Sequence, residues 1–139
     1  MGGGAIHVRG ALIVTNSMFT DNLTNSYGGG INLENTNGNV DSNKVDCEFT
    51  GNGSDAGGGL YAGTFGSVVR VTNSRFKLNT STILNSKGGG IFLSTGALVV
   101  TDSTLTRVAG DKCNAVAAEP RQVIAGTINN GRGHFLGSE

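Results

Sequence analysis

The feature that most constrains this chain is a glycine triplet that keeps returning. Triplets stand at Gly2-Gly3-Gly4, Gly28-Gly29-Gly30, Gly57-Gly58-Gly59 and Gly88-Gly89-Gly90, at spacings of 26, 29 and 31 residues. Each leads into alternating apolar residues: Ile6 and Val8, Ile31 and Leu33, Leu60 and Ala62, Ile91 and Leu93. An apolar period of two is the mark of a strand with one buried face. Between the triplets lies a second motif, Phe-x-x-Asn, at Phe19–Asn22, Phe49–Asn52 and Phe76–Asn79, with Leu105 where a fourth Phe would fall. Upstream of it runs a third strand signal, clearest in Leu12-Ile13-Val14-Thr15-Asn16-Ser17, Val69-Arg70-Val71-Thr72-Asn73-Ser74 and Leu98-Val99-Val100-Thr101-Asp102-Ser103. The alternation changes phase at Asn16-Ser17, which implies a corner inside the extended run. Each period therefore holds three short strands separated by bends. The second period lacks the Val-Thr-Asn-Ser phrase, and residues 40–47 leave its register open.

Composition removes the competing fold classes. Glycine supplies 24 of 139 residues and charged residues only 14%, with no Trp and one Pro, so the long amphipathic helices of a bundle are not encoded. Hydrophobic residues at 37%, regularly placed, argue equally against disorder. Ten basic and ten acidic residues leave no net charge. That balance excludes a general electrostatic grip on nucleic acid or an anionic membrane surface. No apolar run approaches the roughly 20 residues that span a bilayer, so no direct membrane insertion of this segment is expected. Cys47 and Cys113 lie too far apart for a metal-binding or redox CxxC motif and read as two free thiols.

A repeat of about 28 residues with three strands and no helix is too short for a propeller blade and lacks the leucine-rich pattern. Winding each repeat once around an axis buries its apolar faces, with like strands stacked at about 4.8 Å. The expected fold is all-β, a right-handed parallel β-helix (solenoid) of about four coils with three short strands per coil, over residues 1–108. Residues 109–139 form a C-terminal cap, through Val123-Ile124-Ala125, or a poorly ordered tail. Glycine suits a corner repeated in every coil because it takes φ > 0 and lets backbones approach. Phe19, Phe49, Phe76 and Leu105 should stack inside, and Asn22, Asn52 and Asn79 should form a hydrogen-bonded ladder. Val108 should end that ladder.

The alternation of Gly-Gly-Ala/Gly-Ile with Phe-x-x-Asn resembles the repeat of the chlamydial polymorphic outer membrane proteins. Gly3-Gly4-Ala5-Ile6 reproduces the family tetrapeptide, and the likeness covers roughly residues 2–108. The resemblance implies an autotransporter-like passenger, a pectin-lyase-like β-helix displayed on the cell surface or secreted, associated with the outer membrane if bacterial, and used in adhesion. It implies a host-surface protein or glycan as partner. The chain carries no recognisable signal peptide, transmembrane barrel or N-terminal cap, so it reads as a fragment of a longer repeat protein. Open end coils would also allow end-to-end self-association.

The residues of chemical interest are few. The outward column His7, Asn32, Tyr61 and Phe92 is a candidate ligand face, since neighbouring aromatics can stack on sugar rings or a partner protein. Asp46 and Glu48 would share one face of a strand and are the nearest carboxylate pair for Ca²⁺ or acid/base work. Gly131-Arg132-Gly133-His134 resembles segments of pectin-degrading hydrolases but has no partner Asp motif. A Thr15, Thr72, Thr101 column would suit ice binding, were Lys44 or Val45 not in the second coil. Three sequons begin at Asn22, Asn52 and Asn79, the ladder residues, and should stay unmodified. Cys47 takes the place of Ser17, Ser74 and Ser103. No catalytic, cofactor or metal-ligating residue is assigned. The expected function is a non-catalytic structural or adhesive module, with a carbohydrate-active (pectin lyase-like) enzyme fragment and a self-assembling β-solenoid as the alternatives.

Overall fold

A computed structural model describes residues 4–35, 42–82 and 88–105, together with four short strand segments beyond them. Val108, Asp41, Asp111, Cys113, Pro120 and the Gly131–His134 segment lie outside the described residues. Every regular element among the described residues is a β-strand, and every pairing is parallel.

The first layer comprises β1 (Ile6–Arg9), β2 (Ile13–Thr15) and β3 (Met18–Thr20); the second, β4 (Ile31–Asn35), β5 (Ser42–Val45), β6 (Glu48–Thr50) and the two-residue β7 (Gly53–Ser54). In the third layer the first two strands run on as one, β8 (Leu60–Thr72), followed by β9 (Arg75–Lys77) and β10 (Thr80–Ser81). The fourth has the equally continuous β11 (Ile91–Thr101) and then β12 (Ser103–Leu105). In the first layer Gly10, at φ 134°, separates β1 from β2. In β8 and β11 the linking residues instead stay extended, and their unequal lengths are absorbed as register shifts between Leu93 and Ala97.

Each strand pairs with its counterpart one repeat on, so one position in the repeat becomes one column. Ile6, Ile31, Leu60 and Ile91 are register partners, as are Val8, Leu33, Ala62 and Leu93. The residues between them face outward, as a period of two requires. Short segments of residues 109–139 continue the same order. β13 (Val116–Ala118) pairs with Ile91–Leu93, β14 (Ile124–Ala125) with Leu98–Val99, and β15 (Ile128–Asn129) with Ser103–Thr104. β16 (Phe135–Leu136) then pairs with Val116–Ala117. These four segments thus repeat the strand order of the earlier layers although the sequence around them lacks both motifs.

Three corners rest on left-handed backbone. Asn16, Asp46, Asn73 and Asp102 have φ of 48°, 53°, 45° and 49° where the second strand bends into the third. Asn and Asp tolerate this region because a short polar side chain can bond locally. Their side chains alternate amide and carboxylate along the column, and the Asn73 amide donates to the Asp46 carboxylate. Asp46 is therefore a corner residue, and the expectation that it shares a strand face with Glu48 is corrected: the bend separates them. The second corner lies inside Phe-x-x-Asn, at Asp21, Gly51 and Leu78, with φ of 54°, 67° and 56°. A third, at Gly28 and Gly57, has φ of 64° and 66°, and a Cβ there would lie 2.0 Å and 2.3 Å from the carbonyl oxygens of Ile31 and Leu60.

The core is the interior of these columns. Phe19 stacks on Phe49 at 4.8 Å and Phe49 on Phe76 at 4.4 Å, with interplanar angles of 10° and 7°. Leu105 takes the next place, paired with Phe76. Parallel pairing at one strand spacing dictates this face-to-face geometry, because identical side chains on adjacent strands cannot tilt without leaving the column. Phe49 and Phe76 are both fully buried, and Phe49 is the one with a ring on either side. Phe49→Ala should cost about 3–5 kcal/mol in urea unfolding, more than Phe19→Ala, which loses one ring contact. Leu78 is half exposed, so its left-handed backbone gains little packing in return. Leu78→Asn should therefore raise stability by about 1 kcal/mol, read as a higher thermal midpoint.

Candidate functional site

Ladder residues account for most of the buried polar chemistry. Asn52 is fully buried, and each of its amide atoms is engaged twice. Its Oδ1 accepts from the Asn22 backbone N–H at 3.1 Å and from Asn22 Nδ2 at 2.8 Å. Its Nδ2 donates to the Phe19 carbonyl at 2.7 Å and to Asn79 Oδ1 at 2.9 Å. Asn79 repeats the pattern, accepting from the Asn52 N–H at 3.0 Å and donating to the Phe49 carbonyl at 2.8 Å. The backbone groups freed by the bend are thereby satisfied in dry surroundings. A second ladder runs beside the Asn16 corner. Ser74 Oγ and Ser103 Oγ each donate to the carbonyl two residues back, at 2.8 Å and 2.9 Å. They accept the Cys47 and Ser74 backbone N–H groups. The Cys47 thiol, buried in the Ser column, donates to the Val45 carbonyl at 3.2 Å.

The column His7, Asn32, Tyr61, Phe92 is in register, but it is not an open face. Asn32 is fully buried, Phe92 is 3% exposed, and Tyr61 is half-buried with its ring stacked on Tyr27 at 4.5 Å. Tyr61 and Phe92 lie 5.7 Å apart, and Ala56 packs with them in a small second core. The expectation of a ligand face is corrected for a steric reason. The left-handed Gly28 and Gly57 fold the preceding residues, Tyr27 and Ala56, back over the strands that follow. An apolar residue immediately before the triplet was the available sign. His7 alone remains exposed, and its Nε2 sits 3.3 Å from Glu34 Oε2, with Arg9 Nε at 3.5 Å from the same oxygen. Burial pushes the Glu34 carboxyl up, but hydrogen bonds from Asn32 and His7 and the charges of His7 and Arg9 outweigh it and hold it below its ordinary value.

A concave surface lies elsewhere, along the outer face of β6, β9 and β12. A groove of about 320 Å³ runs beside the Asn16 corner column, walled by Asp46, Asn73 and Asp102 on one side and Glu48, Arg75 and Thr104 on the other. A neighbouring cleft of about 270 Å³ shares Glu48, Arg75 and Thr104 and adds Lys77. Three carboxylates and two cations thus line the two adjoining clefts, from either side of the bend. Glu48 and Arg75 are register partners, yet Glu48 Oε1 accepts from Thr50 Oγ1 at 3.1 Å. Among the described residues neither Arg75 nor Lys77 has an ion-pair partner. No group of three metal-ligating acidic, His or Cys side chains occurs among them. Val45 stands between Thr15 and Thr72, so the threonine column is interrupted there.

One residue that the sequence leaves open is placed by the structure. Lys44 occupies the core column of Val14, Val71 and Val100, fully buried, with its Nζ donating to the Leu12 carbonyl at 3.0 Å. Without the Val-Thr-Asn-Ser phrase, nothing in the second period fixed which of Lys44 and Val45 turned inward.

No family model, curated protein or solved structure matches the chain.

Because the Asn52 and Asn79 amides are buried and engaged, protein secreted from a eukaryotic host should carry no glycan at either, as intact mass will read. Asn52→Ala should cost at least about 3 kcal/mol in urea unfolding, because it leaves several buried donors and acceptors unmatched.

Proposed function

We propose that the chain winds as a right-handed parallel β-helix and acts as a non-catalytic structural or adhesive module of a cell-surface or secreted repeat protein. The observation that carries this reading is the contrast between inside and outside of the same strands. Inward positions repeat: Phe19, Phe49 and Phe76 in one column, Asn22, Asn52 and Asn79 in another. Their outward neighbours change chemistry at every step, from Met18 to Glu48 to Arg75 to Thr104. A scaffold for display needs that division, a constant interior that fixes the backbone and an exterior free to vary.

The resemblance to the chlamydial polymorphic outer membrane protein repeat supports an adhesive role, with a host-surface protein or glycan as partner. The groove between Asp46 and Arg75 is where such a partner finds charge of both signs and a concave surface. Its carboxylates also favour a second reading, a carbohydrate-active enzyme fragment, in which Asp46 or Glu48 would handle a proton.

One experiment separates the two. The protein should bind mammalian cells or an arrayed glycan, and Arg75→Glu with Lys77→Glu should weaken that binding at least tenfold while leaving the circular dichroism spectrum unchanged. Reducing-end release from pectic or related polysaccharides, abolished by Glu48→Gln, would replace the adhesive reading with the enzymatic one. Absence of both binding and turnover would leave the structural role alone. A crystallographic trace in which the strands do not wind right-handedly would overturn the fold.

A further inference from the structure

Lys44 is an odd residue to find where the same column elsewhere holds Val14, Val71 and Val100. Its side chain is fully buried, and among the described residues its Nζ has one acceptor, the Leu12 carbonyl at 3.0 Å. That carbonyl also accepts the Asn43 backbone N–H at 3.0 Å, so the amine and the strand pairing converge on one atom. The strand so held, β2, is three residues long and pairs only with β5 among the described strands. An ammonium with three protons and one acceptor is poorly satisfied in an apolar site, whereas a neutral amine needs far less.

We propose that Lys44 is a proton-sensitive latch between the first two layers, holding Ile13–Thr15 firmly as a neutral amine and loosely as an ammonium.

The surroundings leave few other charges to confuse the effect. On β2 the inward residue is Val14, with Ile13 and Thr15 exposed; on β8 the inward residues are Val69 and Val71, and Arg70 is exposed. The register partners of Lys44, Val14 and Val71, belong to the apolar core. The Cys47 thiol is the one titratable group that acts on Lys44 among the described residues. Burial lowers the Lys44 amine to about 8, with the Cys47 charge working against it. Below about 8 the amine is protonated in folded and unfolded chains alike, and the folded state bears the burial cost. Between about 8 and the ordinary lysine value of 10.5 the unfolded chain binds a proton that the folded chain does not. Stability therefore rises with pH across that window, the reverse of a lysine that gains an acidic partner.

The test compares the full chain with Lys44→Met and Lys44→Arg, all carrying Cys113→Ser so that Cys47 is the sole thiol. Urea unfolding followed by circular dichroism from pH 7 to 10.5 should show the wild-type folding constant gaining on the order of a hundredfold relative to Lys44→Met. Lys44→Arg, which keeps its charge, should lack the gain. Labelling of Cys47 by an aromatic disulfide reagent reports the latch locally, because the buried thiol donates to the Val14 carbonyl of β2 at 3.5 Å. At pH 7.5 wild type should label faster than Lys44→Met, and the ratio should fall toward one above pH 9. Parallel unfolding curves, or a labelling ratio that ignores pH, would overturn the proposal. If Lys44→Met does not fold, divergence of wild type from Lys44→Arg above pH 8 supports the latch and its absence refutes it.

Discussion

Everything in this molecule depends on the side-chain amide at the end of Phe-x-x-Asn. A chain that turns three times per repeat repeatedly strands backbone donors and acceptors where water does not reach. The Asn52 side chain meets the need in two directions at once, accepting hydrogen bonds from Asn22 and donating them to the Phe19 carbonyl and Asn79. Because the amide both donates and accepts, the same residue type can serve in every layer, which a carboxylate or an ammonium could not do. Strand pairing, the ring stack and the placement of the glycine corners follow from holding that bend at one spot in each repeat.

What could be read from the sequence was whatever recurs. Phe19, Phe49 and Phe76 recur with Asn three residues on, so their columns are legible in the sequence alone, as is the corner at Asn16, betrayed by a change of apolar phase. Single departures were not legible. Lys44 carries a charge, and charges are normally assigned to the surface; only the register of Ser42–Val45 against Val69–Thr72 turns it inward. The covering of Asn32 and Phe92 was hidden for another reason. Alternation says which side of a strand a residue faces but not what folds over that side, and the chain reversal at Gly28 and Gly57 decides the latter. Val116–Ala118, Ile124–Ala125 and Ile128–Asn129 pair as a further layer by backbone register alone, with neither motif to announce it.

The two ladders divide the labour of the interior. Asn sits where the bend leaves the most unmatched backbone, while Ser74 and Ser103 bridge a carbonyl two residues back to an amide of the preceding layer, and the Cys47 thiol bonds the carbonyl two residues back. A thiol can stand in the second role because it asks for one weak bond, and no residue other than Asn stands in the first among the described layers. The polar atoms of the repeat are thus largely committed inward. The variable chemistry is left to the outward positions of β6, β9 and β12, beside the groove.

The alternating corner column has an evolutionary corollary. Asn16, Asp46, Asn73 and Asp102 place an amide between successive carboxylates, so each negative charge has a neutral donor beside it. Excising the unit around Asn73 would bring Asp46 against Asp102, two like charges at one strand spacing, whereas loss of two consecutive units preserves the order. Tandem arrays built on this pattern tolerate growth and shrinkage most readily by even numbers.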